Sequence, residues 1–559
     1  MRRGWPVLIV AVAAAVFAAA VAWSGGFDLE IAGTRLRSHA WERPAVAAAA
    51  ALVLFVLIEH KSTTLRLHAL WLEFESVAAA RLIVSVAVLW TIAAGVRFGS
   101  AVAGGSDSYG YMSQARELAA GRLSDEIPMN PAFRWTNAEP TLTPLAHVGA
   151  PQPGRMVATY PPGLPLLMAA AMPFGERAAY LLVPLFGALL VFFTWRAGHL
   201  LGDSLAGAIA ALLVSVSPTF LLQLMQPMSD VPAAACWAGT VVAASREGRR
   251  HAVIAGIFTG LAVMIRPNLA PLAMIPLGLI IASREDRVRR VLVFLAPVAA
   301  MTCLLLVIQA VRYGSPFGSG YGNPGELFSV ASVGENLRRY PRWVTSTHTP
   351  LLWLWVIAPF IVKRTGPLLA ALMVLIIGTW CAYLPYVSFQ ADEWFYTRFL
   401  LPAIPFMLLL SCAVMMAAIR RAPQPSRPVL TAMLTLLLGA ALGRESGSHV
   451  AHIALQERRY QDTGIFVRDS LPANAVVLAA QHSGSVRFYA NRITVRWDVA
   501  PRGELDAILA AIRATGSTPF LVVDAGEMPA FQDRFAGQHA VEGLRPIAEF
   551  GVTRVYSVE

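Results

Sequence analysis

Apolar stretches of about 15 to 20 residues recur along this chain, and that recurrence restricts it to one class of fold. A helix crossing a bilayer core needs about 20 mostly apolar residues. Candidate spans fall at 5–23, 44–58, 77–96, 178–196, 204–222, 229–244, 251–266, 269–282, 291–311, 351–362, 366–387, 399–419 and 428–443. The pattern predicts an α-helical polytopic membrane protein with about thirteen transmembrane helices, their boundaries soft by a few residues. Composition agrees: 56% of the 559 residues are hydrophobic and only 14% are charged, where soluble domains carry about 25% charge. The first run follows Arg2-Arg3 and ends among small residues, so it also reads as a cleavable signal.

The formal charge of +11 does not point to nucleic acid. The basic residues gather in short loops between apolar runs: Arg246, Arg249 and Arg250; Arg284, Arg287, Arg289 and Arg290; Lys363-Arg364; Arg420, Arg421 and Arg427. With thirteen spans these loops share one side, and the positive-inside rule makes it the cytoplasm of a plasma (inner) membrane. The stretch 160–174 is short and has Pro161 and Pro162 at its start, so it is placed on the outer surface, re-entrant or lying flat. Four regions follow: N-terminal spans in 1–96, an outer loop with interfacial helices in 97–177, a helical membrane domain in 178–443, and an extracytoplasmic domain in 444–559. In the last, helices at 455–470 and 504–514 alternate with strands at 475–480, 492–497, 519–524 and 552–558, which reads as a small α/β unit. Cys236, Cys303, Cys381 and Cys412 all lie in apolar stretches without pairing or ligand spacing, and read as small buried side chains.

Polar residues at the span ends carry the chemistry. Asp107 lies about a dozen residues past a span, in Gly104-Gly-Ser-Asp-Ser-Tyr-Gly-Tyr111. It reads equally as a helix cap and as a carboxylate held at headgroup depth. The run 109–120 places Met112, Ala115, Leu118 and Ala119 at helical spacing, which predicts a helix lying in the interface, ended by Gly121. Asp230, at the start of a span, reads as another cap or as a substrate contact. Arg266 and Arg398, at outer span ends, read as snorkelling side chains or as a pair able to grip a lipid phosphate. Asp392-Glu393 is an acidic pair of the kind a divalent metal takes, but adjacent acids in a loop are more often solvated, so no metal is indicated. His147, His348 and His482 lack ligand spacing, and the glycine-rich 314–325 lacks a nucleotide-binding pattern.

Asp107-Ser-Tyr-Gly-Tyr with Ala115, Leu118 and Gly121 resembles the first outer loop of the GT-C glycosyltransferases, a superfamily that includes the protein O-mannosyltransferases and the lipid A aminoarabinose transferase. Tyr160-Pro-Pro-Gly163, Ser229-Asp-Val-Pro232, Arg266-Pro267 and Arg398-Phe-Leu-Leu-Pro402 fit the bacterial branch in the same order. The resemblance covers about residues 97–420. Many members carry a second acid beside the first; here Ser108 stands there.

The resemblance implies transfer of a sugar from a polyprenyl-phosphate donor to a glycan, lipid or protein acceptor at the outer face. Asp107 would be the general base. Tyr109, Tyr160, Pro161, Pro162, Asp230, Arg266 and Arg398 would bind substrate, the two arginines at the phosphate. A carboxylate base suits loss of the acceptor's proton, and preorganised cations suit a phosphate leaving group. Two other readings stay open: a lipid-linked sugar transporter or flippase, against which speaks the gathering of polar residues at one surface rather than the midplane, and an O-antigen-type ligase or polymerase. A non-catalytic scaffold is a further one.

Overall fold

The computed structural model describes residues 5–24, 27–31, 34–38, 75–283, 286–362, 366–387, 393–424 and 427–558, with a few single residues and pairs between 43 and 54. Most of the expected span at 44–58, the loop residues Lys363-Arg364 and Asp392 lie outside them.

Helices form where the apolar runs are, but few are single straight spans. Val77–Phe98, Glu176–Leu200 and Arg287–Tyr313 are each long and apolar enough to cross a membrane. Three further pairs reach that length only across a bend: Ser204–Ser215 with Pro218–Leu224 at 57°, Val330–His348 with Pro350–Ile361 at 113°, and Trp394–Leu400 with Ile404–Ile419 at 87°. Helices 163–174, 230–244, 267–282 and 367–383 are shorter. Among the described residues, up to six elements thus meet the length and hydropathy test, where thirteen spans were expected. Proline accounts for the broken elements. Pro218 opens the second half of one pair and Pro350 the second half of another, because a ring nitrogen cannot close the preceding turn.

Position in the bundle follows from which faces are apolar. All residues of the helix Asp230–Ala244 are buried, and Ile404–Ile419 is buried on nearly every side. A helix apolar all round belongs in the centre. Val77–Phe98 and Arg287–Tyr313 instead leave leucines and valines such as Leu82, Leu89, Leu292 and Val307 exposed, as peripheral helices facing lipid do. Cys236 and Cys412 are buried as expected, whereas Cys303 and Cys381 lie on exposed faces.

The final membrane-length run does not stop at 443. It continues as one helix, Arg427–Ser470, into a five-stranded sheet ordered Ile493–Val495, Ala475–Leu478, Thr518–Asp524, Thr553–Val558, Leu544–Phe550. The first three strands are parallel and the last two antiparallel. Strand Leu544–Phe550 was not expected. It is a half-exposed edge strand containing Pro546, so it lacks the apolar alternation that marks a buried strand.

The long connection after the helix Val77–Phe98 holds a second, three-stranded sheet, Asp125–Glu126, Arg155–Ala158 and His147–Gly149. It does not stand apart from the C-terminal sheet. Phe133, Trp135, Leu142 and Met156 of the connection share one hydrophobic core with Leu478, Val495, Trp497 and Leu509. Backbone bonds reinforce the union: Arg496 N–H donates to Thr141 O at 2.6 Å, Leu145 N–H to Ser483 Oγ at 3.1 Å, and Ala103 N–H to Tyr489 Oη at 2.8 Å.

The helix Asp107–Ala119 lies between this union and the membrane-helix layer. Met112, Gln114, Ala115 and Glu117 are all buried, and Glu117 meets His147 Nε2 at 3.1 Å. The helix expected to lie at the interface is thus packed against protein on two sides. The helix Gly163–Ala171 packs on one side and Ser483–Ala490 on another; the buried Gln114 and Glu117 bond to Tyr160 O and His147, while Arg116 stays exposed.

Candidate active site

Two acids and two arginines meet at the rim of one cavity. Asp107 begins the helix Asp107–Ala119, and Asp230 begins the central helix Asp230–Ala244. Acidic side chains are favoured at both places by the unmet N–H groups of a helix start. Arg266 ends the helix Arg249–Ile265, just before Pro267 prevents its continuation. Arg398 sits in the 3₁₀ turn Trp394–Leu400.

The four side chains form two ion pairs. Arg398 Nη1 donates to Asp107 Oδ2 at 3.0 Å, and Arg266 Nη2 donates to Asp230 Oδ1 at 2.6 Å. Arg266 also donates to Tyr383 Oη (2.9 Å) and Ser229 Oγ (3.3 Å). The ring of Phe399 lies within cation–π range of both guanidiniums, at 5.2 Å from Arg398 and 5.7 Å from Arg266. The Arg266–Asp230 pair is deeper, with the Asp230 side chain only 1% exposed; that of Asp107 is 32% exposed. Asp107 accepts a second bond, from Tyr160 Oη at 2.5 Å. Burial alone raises its proton affinity, but Arg398, the Tyr160 hydroxyl and Arg266 together outweigh this and hold the carboxyl below its usual range.

Aromatic rings complete the rim. Tyr111 stacks on Tyr160 at 4.8 Å, and Tyr321 meets Tyr160 edge-on at 5.9 Å. Tyr111 donates to Ser229 Oγ at 2.8 Å, which ties the Asp107 helix to the Asp230 helix. The enclosed volume is about 710 Å³. Val263, Leu305, Leu306 and Phe317 supply apolar lining.

Of the residues singled out in the sequence, Asp107, Tyr160, Pro161, Asp230, Arg266 and Arg398 line this cavity. Tyr109 and Pro162 do not, and both assignments are corrected. Tyr109 points to the opposite side of its helix, against His147, Phe488 and Gly484. Pro162 is buried at the start of the helix Gly163–Ala171. Tyr111, Ser229, Tyr321, Tyr383 and Phe399 line the site without having been singled out for it. Tyr111 carried a usable signal. It is four residues from Asp107, so helical periodicity puts the two on one face, whereas Tyr109 at two residues faces away.

Two glycines explain why the motifs read as they do. A Cβ on Gly110 would lie 2.3 Å from the Tyr160 ring, and one on Gly163 would lie 2.5 Å from the backbone of Met264 and Ile265. Gly163 thus lets the Tyr160–Pro162 turn press onto the chain just before Arg266. Because the obstructing atoms are backbone, Gly163→Ala forces the two helices apart. The expected result is a loss of about 1–3 kcal/mol in unfolding measurements, with reduced activity from the displaced Tyr160 and Arg266.

Both oxygens of Asp107 and one of Asp230 are engaged by cationic or hydroxyl donors, and Ser108 is buried. No group of three His, Cys, Asp or Glu side chains gathers among the described residues.

The profile of the dolichyl-phosphate-mannose-protein mannosyltransferases matches residues 160–310, the part that supplies Tyr160, Asp230 and Arg266. No curated protein sequence matches the chain. Solved structures do. ArnT from Cupriavidus metallidurans bound to undecaprenyl phosphate superposes with a TM-score of 0.52 at 12% identity, over 86% of this chain and 98% of that one. The Archaeoglobus fulgidus oligosaccharyltransferase, tethered to an acceptor peptide containing the NVT sequon, gives 0.52 at 14% identity, over 86% of this chain and 74% of that one. The chain shares its fold with these two structures. The mycobacterial arabinofuranosyltransferase AftD matches 86% of this chain, with 40% of its own length covered, at 16% identity and a TM-score of 0.50.

Proposed function

We propose that this chain is a glycosyltransferase that moves a sugar from a polyprenyl-phosphate carrier to an acceptor hydroxyl on a glycan, lipid or protein, at the outer face of the plasma membrane. The observation that supports this most is the meeting of Asp107, Arg398 and Arg266 in one cavity that Val263, Leu305, Leu306 and Phe317 also line. A phosphate fits the arginines, and the first isoprene units fit the apolar lining. That lining belongs partly to the helix Arg287–Tyr313, which is little covered by other helices, so a lipid enters from the side.

The acceptor oxygen attacks the anomeric carbon, the bond to the phosphate oxygen breaks, and the acceptor's proton passes to Asp107. Arg398 and Arg266 stabilise the charge gathering on the departing phosphate. Arg398 Nε is buried without a hydrogen-bond partner among the described residues. A buried donor left unmet costs about 1–3 kcal/mol, which an incoming phosphate oxygen recovers. The phosphate also competes with Asp107 for Arg398. Drawing the guanidinium away removes the strongest influence holding Asp107 acidic, so donor binding makes the base more basic at the point of use. No side chain is needed as a general acid, because phosphate leaves as an anion.

The test is purified protein in lipid discs, supplied with labelled polyprenyl-phosphate sugars and envelope acceptors. Acceptor-dependent loss of label from the lipid supports transfer; movement of intact lipid-linked sugar between leaflets without transfer overturns it in favour of a transporter. The pH profile adds a second reading. A depressed carboxyl keeps its ionised, basic form as pH falls through the usual carboxylate range. Arg398→Gln removes that influence, so the acid limb of kcat/KM, which reports the free enzyme, moves to higher pH. An unmoved limb rules out the Asp107–Arg398 coupling.

A further inference from the structure

A second cavity lies at the other end of the bundle. The helix Asp230–Ala244 reaches the first site with its beginning and this one with its end, about 22 Å away along the helix axis. The volume is about 460 Å³. Its wall combines Ser245, Arg246 and Glu247, Ser283, Arg290, and the start of the helix Pro367–Tyr383. Leu200, Leu279 and Leu368 make the apolar remainder.

What distinguishes it is a set of buried donors without acceptors. Arg290 is 1% exposed. Its Nη2 donates to Arg246 O at 2.8 Å, while Nε and Nη1 have no partner among the described residues. The hydroxyl of Ser283 is likewise buried and unpartnered. The helix Pro367–Tyr383 turns its N-terminus, the positive end of its dipole, toward the same space. The exposed Arg246 stands at the mouth, with Arg81, Arg196 and His199 within electrostatic reach. The acid in the lining, Glu247, is exposed. A buried guanidinium with two open N–H groups is costly unless an anion completes it. Arg290 and Ser283 both line the cavity, and phosphate has acceptor oxygens enough for the donors of both.

We propose that this cavity binds a phosphate group, carried by the headgroup of an anionic phospholipid or as the free ion, independently of the sugar-transfer site. Arg290 and Ser283 hold its oxygens from inside, and Arg246 closes over it from the mouth.

Full-length protein is tested with two probes: phosphatidylglycerol doped into phosphatidylcholine discs, with retained lipid counted by native mass spectrometry, and inorganic phosphate in detergent, followed by ³¹P line broadening. Retention of phosphatidylglycerol, lowered about tenfold by Arg290→Gln, identifies a lipid headgroup. Phosphate binding lowered to the same degree, with no lipid preference, identifies the free ion. Arg249→Gln, whose guanidinium pairs with Asp286 at 2.6 Å outside the cavity, leaves either affinity unchanged. Should Arg290→Gln not fold, the double variant Arg246→Gln, Ser283→Ala weakens binding severalfold. The proposal fails if neither probe binds, or if the folded variants bind both as wild type does.

Discussion

Asp107→Asn lowers sugar transfer by about 10²–10⁴-fold, the contribution typical of a positioned base, and does so without unfolding the protein. Asparagine keeps the shape of the side chain and an oxygen for the Tyr160 hydroxyl, which approaches at 2.5 Å. It loses the charge that accepts the proton and the charge that holds Arg398. Because the Asp107 side chain is one-third exposed and that of Arg398 one-fifth, water reaches part of the guanidinium left behind and the cost to stability stays below that of a fully buried pair. Freed Arg398 is then available to a donor phosphate. The variant should bind polyprenyl phosphate as tightly as wild type or more so, while turning over little or none of it. Transfer kinetics and donor titration on the same preparation separate these effects. Ordinary turnover by the asparagine variant would end the assignment of Asp107 as base. Lost turnover together with lost donor binding would make it a binding residue instead.

Arg266→Met has the largest expected effect on stability. It leaves the Asp230 carboxylate, whose side chain is only 1% exposed, without its cation, and breaking a buried pair costs about 3–5 kcal/mol. The helix start at Asp230 softens this somewhat, because its unmet N–H groups favour negative charge. The double variant Asp230→Asn, Arg266→Met removes both charges and should recover much of the loss, since the penalty comes from the stranded carboxylate rather than from the missing attraction. Thermal unfolding of the single and double variants measures the difference. Equal stability of wild type and Arg266→Met contradicts the buried pair. Neither variant is expected to transfer sugar well, because both lack Arg266, which faces the proposed phosphate position.

Local sequence rules carried a large part of the structure. Apolar runs mark the helices because a helix in lipid satisfies its own backbone, and Pro267 marks where the Arg266 helix must end. Asp107 and Asp230 both stand in the first turn of a helix, just after Ser106 and Ser229 at the cap positions, where acidic residues are favoured. The C-terminal strands at 475–478, 493–495 and 518–524 were legible from apolar content flanked by turn residues. The misses were local too, in part. Tyr109 was preferred over Tyr111 although four-residue spacing favours the latter, and apolar content alone does not show where a run bends, so a single span was expected over 204–222, where the chain turns by 57°.

By itself the sequence determined that this chain builds helices of membrane-crossing character and presents acids at helix starts and arginines at helix ends, since those preferences act over a few residues. Only the tertiary structure decided which acid meets which arginine. Asp107 and Arg398 are 291 positions apart, and the C-terminal sheet shares its core with the loop that follows Asp107. Contacts at that separation arise from how whole faces pack, so the pairing that sets the basicity of Asp107 could not be read from the residues around it.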